Sequence, residues 1–273
     1  MHVQQVSVPT ETLAPTGATN AYVVGDDEAI LVDPATRTDD LDATVATASV
    51  EHLLVTHAHP DHVGAVAHYA DSCDATVWAR AGRERRFERA TGVAPDRTFR
   101  EGTVIGETTD DEQTDDDSTP AEVTVVETPG HAPDHVALVT DSGMLTGDLV
   151  VSTGSVVVGS DDGDVRAYLS SLRRLYARNP DRLYPGHGPV IETPRDQIER
   201  LIRHRLDREA KILTAVRDGA RTLDEVLDTA YDKDLSGVRD LARTTTAAHL
   251  EKLAVEGEVE WNGERATPTA ADE

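Results

Sequence analysis

The chain has 273 residues, enough to bury a substantial core in one large domain or in one domain with a small appendage. Its single cysteine, Cys73, excludes an intrachain disulfide and a thiolate metal cluster, so any bound metal must be held by histidine and carboxylate. With 51 acidic against 26 basic residues the net charge is −25, a field that repels polyanions and disfavours non-specific nucleic-acid binding.

Nearly all the basic residues are arginine; the only lysines are Lys211, Lys233 and Lys252. Such a surface is expected of a protein adapted to a salty cytoplasm, where screening over about 3 Å at 1 M salt removes the self-repulsion of dense carboxylates. The opening MHVQQVSVPTETLAPTG shows no basic patch followed by an apolar core, and no apolar run approaches the length of a membrane span. A soluble cytoplasmic protein with no membrane partner is expected.

In chain order, NAYVVGDDEAILVD (Asn20 to Asp33) predicts two strands around a Gly-Asp-Asp turn. Val50 to Val55 predicts another strand, His62 to Ala70 a helix, and Ala75 to Trp78 a strand. Between Gly106 and Pro120 the chain is too polar to pack and is expected to be a solvated loop. Val123 to Glu127, His135 to Thr140 and Met144 to Thr146 follow as strands, the last two joined by Asp141-Ser142-Gly143. Strands interspersed with helices indicate a layered α/β or α+β core.

After Pro185 the character changes. Thr193 and Pro194 can start a helix whose apolar stripe runs through Ile198, Leu201, Ile202, Leu206, Leu213 and Val216 to Gly219. TLDEVLDTAY and SGVRDLARTTTAAHLEKLAVEGEVEW predict two further helices, with a hairpin-like tail over Val255 to Arg265. Three helices and a ribbon outline a winged-helix module, which places a boundary near Leu206: residues 1–205 for the larger domain and 206–273 for the smaller.

The candidate chemistry begins at THAHPDHVG, Thr56 to Gly64, which places His57, His59, Asp61 and His62 within six positions. Pro60 would disrupt a helix and a strand would scatter these side chains over two faces, so the segment is expected to be a loop leaving the strand before it. Further on, TPGHAPDH holds His131, LTGDL holds Asp148 and YPGHG holds His187, each beside a glycine that lets the backbone turn sharply. A tetrahedral zinc ion with an open position uses about three protein ligands. Seven candidates are too many for one ion and suit two, with Asp148 shared and a water or hydroxide completing both spheres. His135 reads equally as a group that positions a ligand, as a substrate contact, or as a core histidine bonded to a backbone carbonyl.

The pattern His-X-His-X-Asp-His, followed by His, Asp and His, resembles the signature of the metallo-beta-lactamase fold superfamily over roughly the first 190 residues. The resemblance implies an αββα sandwich. It also implies one metal on His57, His59, His131 and Asp148, and a second on Asp61, His62, Asp148 and His187. TPGHAPDH and YPGHGPVIETPRDQIERLIRHRLDREAKIL are similar to the subgroup that includes beta-lactamase-like protein 2, whose C-terminal domain is winged-helix-like; His204-Arg205 and Arg208-Glu209 are the specific part.

What the resemblance implies is a dinuclear zinc hydrolase acting on an ester, thioester or phosphodiester through a bridging hydroxide, with Asp61 orienting the nucleophile or taking its proton. A small or medium substrate is expected, anionic or single-stranded RNA among the options, since a eukaryotic relative is regarded as an endoribonuclease. Glyoxalase II enzymes share the seven ligands, but the tail after Ile212 does not resemble their glutathione region. Persulfide dioxygenases, with one iron, are the alternative of different chemistry. Flavodiiron proteins place glutamate where this chain has His59, and class B beta-lactamases lack the bridging aspartate.

Two other readings stand beside these. Arg80, Arg83, Arg85, Arg86, Arg89, Arg97 and Arg100 form a basic island that either faces an anionic substrate or makes ion pairs with the acidic surface. A nucleic-acid-binding regulator is the alternative of another class, but Arg239 and Arg243 sit among Asp234, Asp240, Glu251, Glu256, Glu258, Glu260 and Glu264, a poor face for a groove. Dimerisation, giving a homodimer, or roofing of the active site is the preferred role of the smaller domain.

Overall fold

The computed structural model describes residues 2–106, 121–232 and 234–269; the polar loop expected over Gly106 to Pro120 lies, from residue 107 on, outside the described residues. Contacts divide the chain into two units, the first made of Met1–Thr128, Asp134–Gly154 and Pro180–Pro194, the second of Pro129–Pro133, Ser155–Asn179 and Arg195–Glu273.

The first unit holds two sheets. One has the order β1 (Val3–Pro9), β2 (Ala18–Val24), β3 (Ala29–Val32), β4 (Val50–Leu54), β5 (Thr76–Arg80) and β6 (Arg97–Phe99). The first three strands pair antiparallel and the rest parallel. Helices α1 (Asp39–Thr47), α2 (Pro60–Val63), α3 (Val66–Cys73) and α4 (Glu84–Thr91) lie in its connections. The other sheet runs antiparallel through β7 (Val104–Ile105), β8 (Val123–Glu127), β9 (Val136–Thr140) and β10 (Gly143–Gly147), and β11 (Leu183–Pro185) joins β10 in parallel.

The apolar strands of the first sheet are buried on both faces, and their period of two divides them between two cores. Val23, Leu31, Leu53 and Val77 pack with Leu41, Val45, Val66, Tyr69 and Phe87 of the helices. Their neighbours Tyr22, Ile30, Leu54 and Trp78 pack against Val123, Val125, Leu138 and Leu145 of the second sheet. Burying each of the larger side chains contributes about 1.5–3 kcal/mol, so a one-residue slip in any central strand would be strongly resisted.

The second unit holds α5 (Val165–Arg178), α6 (Pro194–Arg217), α7 (Leu223–Ala230), α8 (Arg239–Val255) and the antiparallel ribbon of β12 (Val259–Trp261) and β13 (Ala266–Pro268). Thr222 and Glu225 form a reciprocal capping box at the start of α7. Ile212, Val216, Val226, Leu250, Leu253 and Val259 share one core. No helix among the described residues is long and apolar enough to cross a membrane.

Several elements differ from expectation. The single helix expected over His62 to Ala70 is two, α2 and α3, and at the break Ala65 N–H donates to the Pro34 carbonyl at 2.9 Å; the close packing leaves room only for glycine at Gly64, where an added Cβ would lie 2.5 Å from the Ala35 carbonyl oxygen. Pro60 does not bar a helix; it opens α2 at a first-turn position, where its missing N–H costs nothing, so only Thr56 to His59 is loop. The hairpin-like tail starts later than Val255, which is still helical, and its strands flank residues 262–265. Strands β1, β6 and β7 and helices α1, α4 and α5 are not among the expected elements.

Candidate metal centre

Strand ends of the first unit bring the candidate residues together. β4 delivers Thr56 to His59, β10 delivers Asp148 and β11 delivers His187. Gly186 N–H donates to the Gly147 carbonyl at 2.8 Å, and Asn20 N–H to the Gly186 carbonyl at 2.8 Å, so the loops after β10 and β11 share one backbone frame with β2. Glycine is required by close approach: a Cβ on Gly186 would stand 2.6 Å from Asp148 Oδ1, and one on Gly147 would stand 2.5 Å from Thr56 Oγ1.

His57, His62 and Asp148 offer ligand atoms within 4.8 Å of one another, as do Asp61, His62 and His187. Asp148 Oδ1 lies 3.7 Å from His62 Nε2 and 3.4 Å from His187 Nε2, and His187 Nε2 lies 3.7 Å from Asp61 Oδ2. Asp148 therefore stands between imidazoles of both groups. His59 Nδ1 is 3.0 Å from His57 Nε2. His131 belongs to the segment Pro129–Pro133 of the second unit, where its Nδ1 is 2.7 Å from the Val157 carbonyl.

The groups behind these atoms went unnoticed in the sequence. Asp33, buried at the end of β3, accepts from Thr56 N at 2.6 Å, Thr56 Oγ1 at 2.7 Å and His62 Nδ1 at 3.0 Å. With its Nδ1 so engaged, His62 directs Nε2 at the cluster. His187 Nδ1 donates to the Ala18 carbonyl at 2.8 Å, and Thr19 Oγ1 donates to the Asp61 carbonyl at 2.7 Å. Asn20 Nδ2 holds the carbonyls of Pro185 and Gly188, both at 2.8 Å. Asp134 accepts from Ala58 N at 2.9 Å and pairs with Arg86 at 2.9 Å.

His135 is fully buried, its Nδ1 2.8 Å from Thr128 Oγ1 and its Nε2 accepting from Asp148 N at 3.0 Å. Both ring nitrogens are thus engaged, one by a hydroxyl and one by the Asp148 backbone, and neither by a backbone carbonyl. Arginines of the basic island make ion pairs and a ring contact within the fold. Besides Arg86, Arg80 pairs with Glu127 at 2.6 Å, and the Arg97 guanidinium stacks 5.4 Å from the centre of the Trp78 ring. In the second unit Arg239 pairs with Asp228 and Asp224, and Arg243 with Asp224, at 2.6–3.5 Å.

The cluster suits a cation. Burial alone would depress the His62 imidazolium, but Asp33, Asp148 and Asp61 outweigh it and push its pKa up to about 9. Burial likewise acts to lower His187, and the Asp148 carboxylate beside it overcomes this and raises it. Without a metal, protons balance the carboxylates. His62 Nε2 is nonetheless buried without a hydrogen-bond partner among the described residues, aimed into a set of imidazole and carboxylate donors that matches a borderline divalent ion.

A family model described as Metallo-beta-lactamase superfamily matches residues 14–187. The chain is 31% identical to the "Beta-lactamase-like protein 2 homolog" of Drosophila melanogaster, over 88% of this chain and 84% of the relative. It is 27% identical to an "Atrochrysone carboxyl ACP thioesterase" of Aspergillus fumigatus, over 81% of this chain and 71% of the relative. Among solved structures, the metallo-beta-lactamase family protein TTHA1429 of Thermus thermophilus shares the fold with a TM-score of 0.75 at 24% identity, over 97% of this chain and 98% of that one. TTHA1623, crystallised in a di-iron-bound form, is 29% identical with a TM-score of 0.51, over 69% of this chain and 96% of that one.

Proposed function

We propose that this chain, which belongs to the metallo-beta-lactamase superfamily, is a metal-dependent hydrolase that cleaves an acyl thioester with two zinc ions. The observation that carries the reading is the convergence of His57, His62, Asp148, Asp61 and His187 around a buried, unbonded His62 Nε2, with Asp148 between two imidazoles. We assign His57, His59, His131 and Asp148 to one ion and Asp61, His62, Asp148 and His187 to the other. The relative named as a carboxyl ACP thioesterase supports the thioester.

The ions would supply Lewis acidity and bring the pKa of water near neutrality. Hydrolysis forms a bond from water oxygen to the acyl carbon, breaks the C–S bond and delivers one proton to the departing thiolate. Asp61 is the carboxylate we assign to take up water's proton. His135 fixes the Asp148 backbone, and Asp33 fixes His62, so two of the reacting shell's members are held by buried hydrogen bonds rather than by water.

The surface charge of −25 and the scarcity of lysine support function in concentrated salt in the cytoplasm. The order of α6, α7, α8, β12 and β13 supports a winged-helix-like reading of residues 206–273. The test is a parallel screen of acyl thioesters, lactones, bis-p-nitrophenyl phosphate and single-stranded RNA at low and multimolar salt, with metal content measured on the same sample. Thioester turnover with two zinc ions per chain is expected. RNA cleavage without thioester turnover would replace the substrate, and a single iron would replace the chemistry with that of a dioxygenase.

A further inference from the structure

Three consecutive residues of one loop in the second unit are each gripped by a different side chain. Ser155 Oγ lies 3.3 Å from His204 Nε2, the Val156 carbonyl accepts from Arg205 Nη2, and the Val157 carbonyl accepts from His131 Nδ1 at 2.7 Å. His204 and Arg205 are the adjacent pair that stands out in the sequence of α6, and nothing in the proposed chemistry has used them.

Arg205 is 2% exposed, and among the described residues no carboxylate pairs with it. A guanidinium buried without a counter-charge is costly, and such residues are kept where they hold something in place. Its charge centre lies 5.2 Å from the centre of the Tyr168 ring. Tyr168 is in the first turn of α5, against which the His131 segment is docked. Asp164 N donates to the Gly130 carbonyl at 2.8 Å and Ser171 Oγ to the Pro129 carbonyl at 2.8 Å. A Cβ on Gly130 would fall 2.2 Å from Tyr168 N, so the two backbones are in direct contact. Arg205 thus touches both things that fix His131: the helix under its backbone and the loop that receives its ring proton.

We infer that Arg205 is a positioning residue for His131. By holding the Val156 carbonyl, it keeps the next carbonyl, that of Val157, opposite His131 Nδ1, so the ring carries its proton on Nδ1 and presents Nε2 as a lone pair. A histidine ligand whose second nitrogen donates to a fixed carbonyl is locked in one tautomer and one orientation, and loss of that partner costs about 10- to 100-fold in metal affinity. The inference rests on the reading of His131 as a metal ligand, and adds that the pair His204-Arg205 serves the site through the loop it holds.

The test uses the full chain with Arg205→Met, Arg205→Lys and His131→Gln. In metal-free protein, long-range 1H–15N spectra report the tautomer of each imidazole, and the His131 signals are those missing from His131→Gln. Zinc affinity is measured by competition with a chromophoric chelator, and folding by circular dichroism and a thermal melt. Arg205→Met is expected to lose the Nδ1-protonated tautomer of His131 and to weaken one zinc by about 10- to 100-fold while the other stays at wild-type affinity. Arg205→Lys, which keeps the charge and one donor, should restore most of both.

If Arg205→Met does not fold, Arg205→Lys and Arg205→Gln take its place, and affinity must follow the His131 tautomer rather than the melting temperature. A folded Arg205 variant with lowered melting temperature but unchanged tautomer and zinc affinity overturns the inference. Wild-type zinc binding in His131→Gln overturns instead the ligand assignment on which it stands.

Discussion

Asp33→Asn separates the role of Asp33 in folding from its role in the metal centre. Its backbone is in the left-handed region, φ 52°, which asparagine adopts as readily as aspartate, so the exchange adds no strain. The amide oxygen can still accept from Thr56 N, now 2.6 Å from Oδ1, and the amide nitrogen can donate to Thr56 Oγ1, which keeps a second lone pair for the His57 Nδ1 proton at 3.1 Å. What is lost is the acceptor for His62 Nδ1 at 3.0 Å. An amide N–H facing Nδ1 favours the tautomer protonated on Nε2, the nitrogen needed for metal. Forcing the ligating tautomer then opposes two N–H groups and forfeits one charge-assisted hydrogen bond, about 1.5–3 kcal/mol.

That corresponds to about 10- to 100-fold in affinity for the ion we assign to Asp61, His62, Asp148 and His187. The metal-free variant should lose only about 1–3 kcal/mol of stability, whereas Asp33→Ala, which orphans three buried donors, should lose more. The assay is chelator competition on both variants, with urea denaturation of the metal-free proteins in parallel. Two ions bound by Asp33→Asn at wild-type affinity would refute the claim that Asp33 sets the His62 tautomer. Equal weakening of both ions would show that the change spreads beyond His62.

Asp148→Ala should bind neither ion after reloading, and His187→Ala should keep one, because Asp148 clusters with His57, assigned to one ion, and with His62 and His187, assigned to the other, whereas His187 clusters with Asp61, His62 and Asp148, all assigned to a single ion; elemental analysis after gel filtration distinguishes them. The second unit should lose stability on acidification. Burial holds the His249 imidazole, beside Glu209, Arg205 and Lys252, below its ordinary value near 6.5, and burial with Arg205 and Arg208 pushes His204 down to about 4. Unfolded chains therefore bind protons that the folded ones refuse, so this contribution is whole above pH 6.5 and declines from there toward pH 4; urea midpoints should follow that limb, and His249→Leu should flatten it. Raising KCl from about 0.1 M to about 3 M should raise the unfolding midpoint as the screening length shortens from about 10 Å to about 2 Å, and equal midpoints at both salts would remove the halophilic reading.

The candidate ligands were legible in the sequence because each sits in a short local pattern: HAHPDH after an apolar strand, and PGH or TGD where glycine permits the chain to turn. Strands with strict alternation or continuous apolar runs were legible for the same reason. Three kinds of feature were not. Strands β6 and β7 are three and two residues long, too short to display a period. Helix α5 is not among them, since Asp164 as cap and Val165, Tyr168, Leu169, Leu172 and Leu175 as its buried stripe are a signal in the sequence. The break between α2 and α3 coincides with Ala65 N–H donating to the Pro34 carbonyl at 2.9 Å, a contact no periodicity contains.

The supporting residues form the third kind, and their invisibility has one physical cause. Asp33 before Pro34 at the end of an apolar strand has the look of a turn residue, and Thr56 that of a strand terminus. Each acquires its role only because β3 and β4 pair in parallel, so that residues 23 apart in sequence finish side by side. Arg205 and Val156 are 49 apart, and Asn20 and Pro185 are 165 apart. A ligand must reach a point in space from a local turn, and the turn leaves a trace in composition. The group that orients a ligand needs only a donor or acceptor at the right place in the finished fold, and any segment can bring one there; so long as topology decides which, the orienting groups are read from structure and the ligands from sequence.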